Sequence, residues 1–263
     1  MTAAGLRLRA TAGSEWIKFR SVRSAPAVLI ATAIVVVVGG VLVAAGYRSG
    51  WSTMDAGDRA AFDPTFQSLH AVEVAQLFVG ALGVLTVTGE YTSGLIRTTF
   101  AATPQRAQVL VAKGLILGAV VWVLCTVASF AAFFAGQAVL TAPARHASLG
   151  DPGVLRAVFG GGVYLLLIGL FGCAIGALLR RTAAALVGLF GVVVVLPVAV
   201  ALVPGDLGAQ LNEYLPSTAG TEFWTVVRTG GHTLGAWPGL AVFVLYVVAT
   251  GVAALVVLGR RDV

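Results

Sequence analysis

GEYTSGLIRTTFAATPQRAQVLVAKG, residues 89–114, is a polar interruption between two apolar runs. Neither 74–89 before it nor 114–144 after it holds an Asp, Glu, Lys or Arg beyond its ends, whereas the stretch itself carries Glu90, Arg97, Arg106, Lys113 and Pro104. Apolar flanks around so compact a polar patch read as two membrane-crossing helices joined by a loop that leaves the bilayer.

The rest of the chain repeats that pattern. Of its 263 residues 58% are hydrophobic and only 11% charged, and the mean hydropathy is +0.95, values that exclude a soluble domain of this size. Further windows without Asp, Glu, Lys or Arg cover 24–47, 157–179, 182–205 and 229–259. Because a span needs roughly 20 apolar residues to cross roughly 30 Å of hydrocarbon, six transmembrane helices are expected, at about 26–47, 69–89, 108–140, 156–179, 183–203 and 238–259. The uncharged part of the second is only 16 residues. It has to borrow its flank, including Glu73.

Arg7, Arg9, Lys18, Arg20 and Arg23 precede the first apolar run, which is too long for a cleaved signal peptide and reads as a retained span. Cys125 and Cys173 both fall inside spans, as packed thiols with no metal or disulfide spacing. Counting Lys and Arg on alternate sides of six spans gives 12 on the side of both termini and 5 on the other, so N-in and C-in is expected. The basic pI of 9.9 therefore reports membrane orientation and not nucleic-acid binding.

SEWIKFRSVRS, residues 14–24, mixes aromatic and basic residues ahead of Pro26 and predicts a short helix on the inner membrane surface; an ordinary basic flank is the alternative. The loop at 48–69 is polar, acidic and expected to be solvated. The third helix is expected to start with Thr103 as cap and Pro104 in its first turn, and to reach well into the cytoplasm. In the fourth span, Gly172 and Gly176 have the spacing that lets two helix backbones approach; packing within the chain is the expected use and a subunit contact the alternative. Pro197 should kink the fifth span. Residues 204–237 predict an interfacial or partly re-entrant element over the outer mouth, and with GRRDV at 259–263 directly after the sixth span no soluble catalytic domain is expected.

No phosphate-binding GxxxxGK[ST], no HExxH, no CxxC and no GxSxG occurs. His70 and Glu73 share a helix face near the outer boundary, where a solvated helix end is expected and a functional polar face is the alternative. Ionisable residues near mid-membrane, which an ion-coupled carrier needs, are essentially missing. Within the opening stretch, SGLIRTTFAAT has the length of a short helix presenting Leu95, Ile96 and Phe100 with Arg97 and Thr98, a docking surface for another protein. Glu90, at the end of span two, opposes that helix's dipole and should seek a cation such as Arg97 or open the new short helix.

With its 14–24 element, TGEYTSGLIRTTFAATPQRAQVLVAKG at 88–114, LPSTAG at 215–220 and six spans, the chain resembles the permease subunits of ABC-2 type exporters, of an actinobacterial kind. The resemblance runs over essentially the whole length as one permease domain. It implies a connecting helix at about 14–24 with Glu15, Trp16, Lys18 and Arg20, and a coupling helix at about 91–103 with Glu90, Gly94, Arg97, Thr98, Pro104, Arg106 and Lys113 as coupling-loop positions. Glu90 and Arg97 are expected to hold the hairpin as a pair, Gly94 to permit a sharp turn, Pro104 to end the coupling helix, and Arg106 and Lys113 to anchor span three at the inner surface. It further implies a bacterial plasma membrane, a partner P-loop ATPase that binds ATP and Mg, a second permease subunit and contact with membrane lipid. No cofactor or metal is expected on this chain, and it is not expected to be an enzyme. The implied cargo is hydrophobic or amphipathic. The competing readings are an ATP-independent carrier or channel and, behind it, a membrane metalloenzyme built on His70 and Glu73 with a third ligand such as His146 or His232.

Overall fold

A computed structural model describes residues 13–20, 24–102, 105–142, 144–227 and 233–260, with the side chains at 97 and 100–102 outside the description. A helix over 13–20, α1, precedes α2 (Ser24–Gly50), α3 (Ala56–Ala61), α4 (Pro64–Leu69), α5 (Val72–Thr92), α6 (Leu95–Ala102) and α7 (Arg106–Val139). There follow α8 (Val154–Leu179), α9 (Thr182–Phe190), α10 (Leu196–Ala201), α11 (Asp206–Glu213), α12 (Pro216–Thr221) and α13 (Ala236–Arg260). No strand occurs among the described residues. Six stretches are long and apolar enough to cross a membrane: α2, α5, α7, α8, the run through α9 and α10, and α13. The fold is that of a multi-pass helical membrane protein.

Helix α8 is the hub. About 72% of its most apolar window is buried, against 11% for α13. Small residues make this possible. A methyl group on Gly172 would collide with the carbonyl oxygen of Gly80, and one on Gly176 would crowd that of Val84, so α5 and α8 lie backbone to backbone. The glycine pair of the fourth span is thus used within the chain. Helix α2 buries Leu29, Thr32, Val36, Gly40 and Ala44 at helical spacing, while Ile30, Ile34, Val38 and Leu42 face outward on the surface available to lipid.

At Pro197, where a kink is expected, the helical hydrogen-bond pattern changes. Proline lacks an N–H, and the turn before it, Gly191–Val195, widens into a π-helix. The carbonyl of Val193, four residues before Pro197, accepts a hydrogen bond from the Ser217 hydroxyl at 2.8 Å instead. Ser217 belongs to LPSTAG, so the widened turn and the motif are partners.

The 48–69 segment is solvated only in part: 52–61 is mostly exposed, whereas Trp51 and 62–69 pack into the fold. Tyr47, Trp51 and Phe62 cluster with ring centroids 5.0 and 5.3 Å apart, and α4 packs against α2, α7 and α8. Asp63 explains the fold here. Its Oδ1 caps α4 by accepting from the N–H groups of Thr65 (2.9 Å) and Phe66 (3.0 Å), and Pro64 occupies the first helical position. Its Oδ2 accepts from the N–H groups of Val226 and Val227, both at 2.8 Å, which fastens the stretch after α12 onto α4. From α8, the Arg156 guanidinium donates to the carbonyls of Glu222, Phe223 and Thr225 in that same stretch. Phe66 stacks flat on the fully buried Trp224 with centroids 4.8 Å apart. The 204–237 segment thus contains α11, α12 and a strap at 222–227, the strap held by its backbone.

Candidate functional site

At the opposite end of the bundle, the opening stretch folds as a turn between two helices. Helix α5 continues to Thr92, three residues beyond the expected end, which keeps Glu90 inside it. Gly94 has φ of 74°, a left-handed conformation that glycine adopts without a side-chain clash, and the chain reverses there into α6. The turn at Gly94 is as expected. Ile96 enters the bundle at 5% exposure, among Val87, Tyr91, Val109 and Leu258. It is an anchor and not part of a docking face. Leu95 and Thr98 are exposed, and the side chains of Arg97 and Phe100 lie outside the described residues.

Beneath α6 four charged side chains from three helices meet. The Lys113 ammonium, on α7, donates to Glu15 Oε2 of α1 at 2.6 Å and to Glu90 Oε1 of α5 at 2.7 Å. Lys18 of α1 donates to Glu15 Oε1 at 2.8 Å and to Glu90 Oε1 at 3.1 Å. It also donates to the Thr99 hydroxyl of α6 at 3.0 Å. The side chains of Glu15, Lys113 and Glu90 are 4%, 5% and 11% exposed, and Lys18, at the rim, is 38% exposed. Two cations balance two anions. A buried set of this kind is costly to assemble and more costly to break, because removing one member strands the others away from water.

The cluster corrects two expectations and leaves a third, the Glu90–Arg97 pair, outside the described residues. Glu90 has cations beside it, and the described ones are Lys113 and Lys18. Glu90 lies within α5 and does not open a new helix, and its opposition to the helix dipole is offset by the two ammonium groups. Lys113 is not a surface anchor; it lies two turns into α7 and is buried. Buried ionisable residues are thus present near both ends of the bundle, here and at Asp63.

The remaining predicted positions separate. Trp16 (43% exposed) and Arg20 point outward on α1, while Glu15 and Phe19 turn toward the bundle. The predicted helix is amphipathic with its acid inside. Arg106 donates to the carbonyl of Leu258 at 3.4 Å and so ties the start of α7 to the end of α13. Gln105 occupies the cap position of α7, and the expected cap and first turn, Thr103 and Pro104, lie outside the described residues. Arg180 closes α8 in a left-handed conformation (φ 55°) with its guanidinium 5.5 Å from the Tyr91 ring centre. His70 and Glu73 sit far away at the α12 end, His70 against Phe66. Among the described residues no three His, Cys, Asp or Glu side chains are grouped to hold a metal; His232 lies outside them.

Burial of Lys18 would by itself lower its pKa, but its hydrogen bond to Glu15 and the nearby Glu90 and Glu15 carboxylates outweigh that and hold it above the ordinary 10.5. Thr99, Asp63 and Arg156 were not anticipated. Asp63 had a signal, since Asp before Pro-Thr opens many helices. Arg156 and Thr99 had none, because their partners lie 66 and 81 residues away.

Compared with known protein families the chain matches none, and no characterised protein matches it either.

Proposed function

We propose that this chain is the membrane-spanning permease subunit of an ATP-driven exporter of the ABC-2 kind, seated in a bacterial plasma membrane with both termini cytoplasmic. The observation that carries the reading is the Glu15–Lys18–Glu90–Lys113 cluster, which ties a surface helix and a short exposed helix to two spans. In this reading α6 is the coupling helix and α1 the connecting helix. A partner ATPase, holding ATP and Mg, presses on the exposed side of α6 around Leu95 and Thr98. The Gly94 turn and the Ile96 anchor pass that movement to α5, and the cluster passes it on to α7 and α1. A second permease subunit completes the transporter, and the cargo is hydrophobic or amphipathic. The chain itself performs no catalysis.

The test is co-purification of the tagged chain from native membranes, with ATPase and transport assays on the recovered complex. Glu90→Ala is expected to leave ATP hydrolysis running while transport falls at least tenfold. Normal transport by that variant, or the absence of any P-loop ATPase from a folded preparation, would overturn the reading. Transport that persists without ATPase would favour the carrier instead.

A further inference from the structure

At the α12 end an open cleft of about 540 Å³ lies between the last turns of α2 and the end of α4. Val43 and Met54 give it apolar walls, and Tyr47, Thr53, Gln67 and His70 give it polar ones. No Asp, Glu, Lys or Arg lines it among the described residues. Its polar groups are available to a ligand. The Tyr47 hydroxyl and the Gln67 side-chain amide make no hydrogen bond among the described residues, and both side chains are only partly buried. His70 Nδ1 is buried without a partner, which leaves Nε2 as the nitrogen on the open side. The Thr53 hydroxyl donates to the Gly50 carbonyl at 2.8 Å and keeps its oxygen as an acceptor. The lipid-facing side of α2 leads into this cleft. Val38 and Leu42 are exposed four residues apart, and the next residue on that ridge is Gly46, where an added methyl group would meet nothing within 4 Å.

We propose that the cleft binds the headgroup of a membrane lipid that is uncharged and carries several hydroxyl groups, a monoglycosyl diacylglycerol being the simplest of the class. An acyl chain lying along Val38 and Leu42 brings such a headgroup to Gly46 and the polar groups beside it. A hydroxyl both donates and accepts, as do the Tyr47 hydroxyl and the Gln67 amide, so adjacent hydroxyls can exchange their water for Tyr47, Gln67, His70 and Thr53. A phosphate or ammonium headgroup finds no opposite charge among the lining residues, and stripping its water there is costly. A bare diacylglycerol brings a single hydroxyl to all these groups.

The cleft lies at the end away from the charge cluster and its test needs no ATPase, so its failure and that of the transport reading are distinguishable. The full chain, purified in a polyoxyethylene detergent that carries no sugar, is mixed with dioleoyl glucosylglycerol, dioleoylglycerol, phosphatidylcholine or phosphatidylglycerol, and bound lipid is counted by native mass spectrometry. The glucosyl lipid is expected to bind roughly tenfold more tightly than each of the others, the worth of one or two hydrogen bonds. Tyr47→Phe combined with Gln67→Met, which removes two polar groups and keeps both shapes, should erase that preference. Gly46→Leu, which fills the cleft from an exposed helix position and removes none of its polar groups, should weaken the glucosyl lipid by a similar factor. Methyl glucoside, the same head without chains, should not displace the lipid at equal concentration. Equal binding of the glucosyl lipid and dioleoylglycerol, preference for either phospholipid, an unchanged preference in either variant, or displacement by equimolar methyl glucoside would each overturn the proposal.

Discussion

The two ends of this bundle solve one problem, holding surface elements onto membrane helices, by opposite chemistry. At the α12 end, Asp63 and Arg156 bind the strap at 222–227 through its backbone N–H and carbonyl groups, with Trp224 stacked beneath. At the α6 end, the described link among α1, α5 and α7 is a set of side chains in which each lysine touches both glutamates. A backbone clamp has one arrangement. A four-member charge set can exchange partners while its net charge stays zero, so the difference is between an end built to stay shut and an end able to shift.

The comparison breaks most visibly at Lys113. Replacing it with Ala leaves two buried carboxylates sharing the rim lysine, and the expected loss is about 3–5 kcal/mol. Thermal unfolding in detergent measures that loss, and hydrogen exchange should place the loosening at α1 and α6 while the 222–227 strap stays protected. Pairing Lys113→Met with Glu90→Leu and Glu15→Leu removes the stranded charges and should restore much of the stability. A triple variant as unstable as the single one would mean that packing, and not charge, holds this end together.

Asp63→Asn attacks the other end. The amide keeps one acceptor oxygen for four N–H donors, so either the α4 cap or the strap is released, at a cost of about 2 kcal/mol. Exchange at 226–227 should rise while α1 stays protected. The mirror-image pattern from Lys113→Ala and Asp63→Asn is what independent ends require; if both variants loosen both ends, the bundle is one cooperative unit.

The sequence showed the spans plainly because a bilayer imposes length and apolarity on each of them, as for α2 and α8. It also singled out Glu90 and Lys113, through their place in a polar interruption and the resemblance it carries. It could not show that they meet, since Glu15 and Lys113 are 98 residues apart and helical periodicity reports only which face is apolar. The same limit hid the clamp. The end of the 48–69 segment looked solvated because Asp63 was counted with the exposed Asp55 and Asp58 as surface charge, whereas it spends its charge on four backbone donors and is 5% exposed. Short helices such as α4 carry too little periodicity to show themselves.

The finest contrast between the ends is in their response to alkali. Lys18 is held above its ordinary 10.5, so the stability it contributes is fully present below that value and is lost as pH rises through the folded pKa. The clamp at the other end depends on a guanidinium, which keeps its proton across that range. Comparing the native chain with Lys18→Met from neutral to strongly alkaline pH isolates the Lys18 share from that of Lys113. The difference in unfolding temperature should be small, because Lys18 is partly solvated, and constant until about pH 10, then close. Exchange at α1 should rise over the same interval, ahead of any change at 222–227. A difference that closes already near neutral pH would mean that Lys18 is not held by Glu15 and Glu90 in the way the distances indicate.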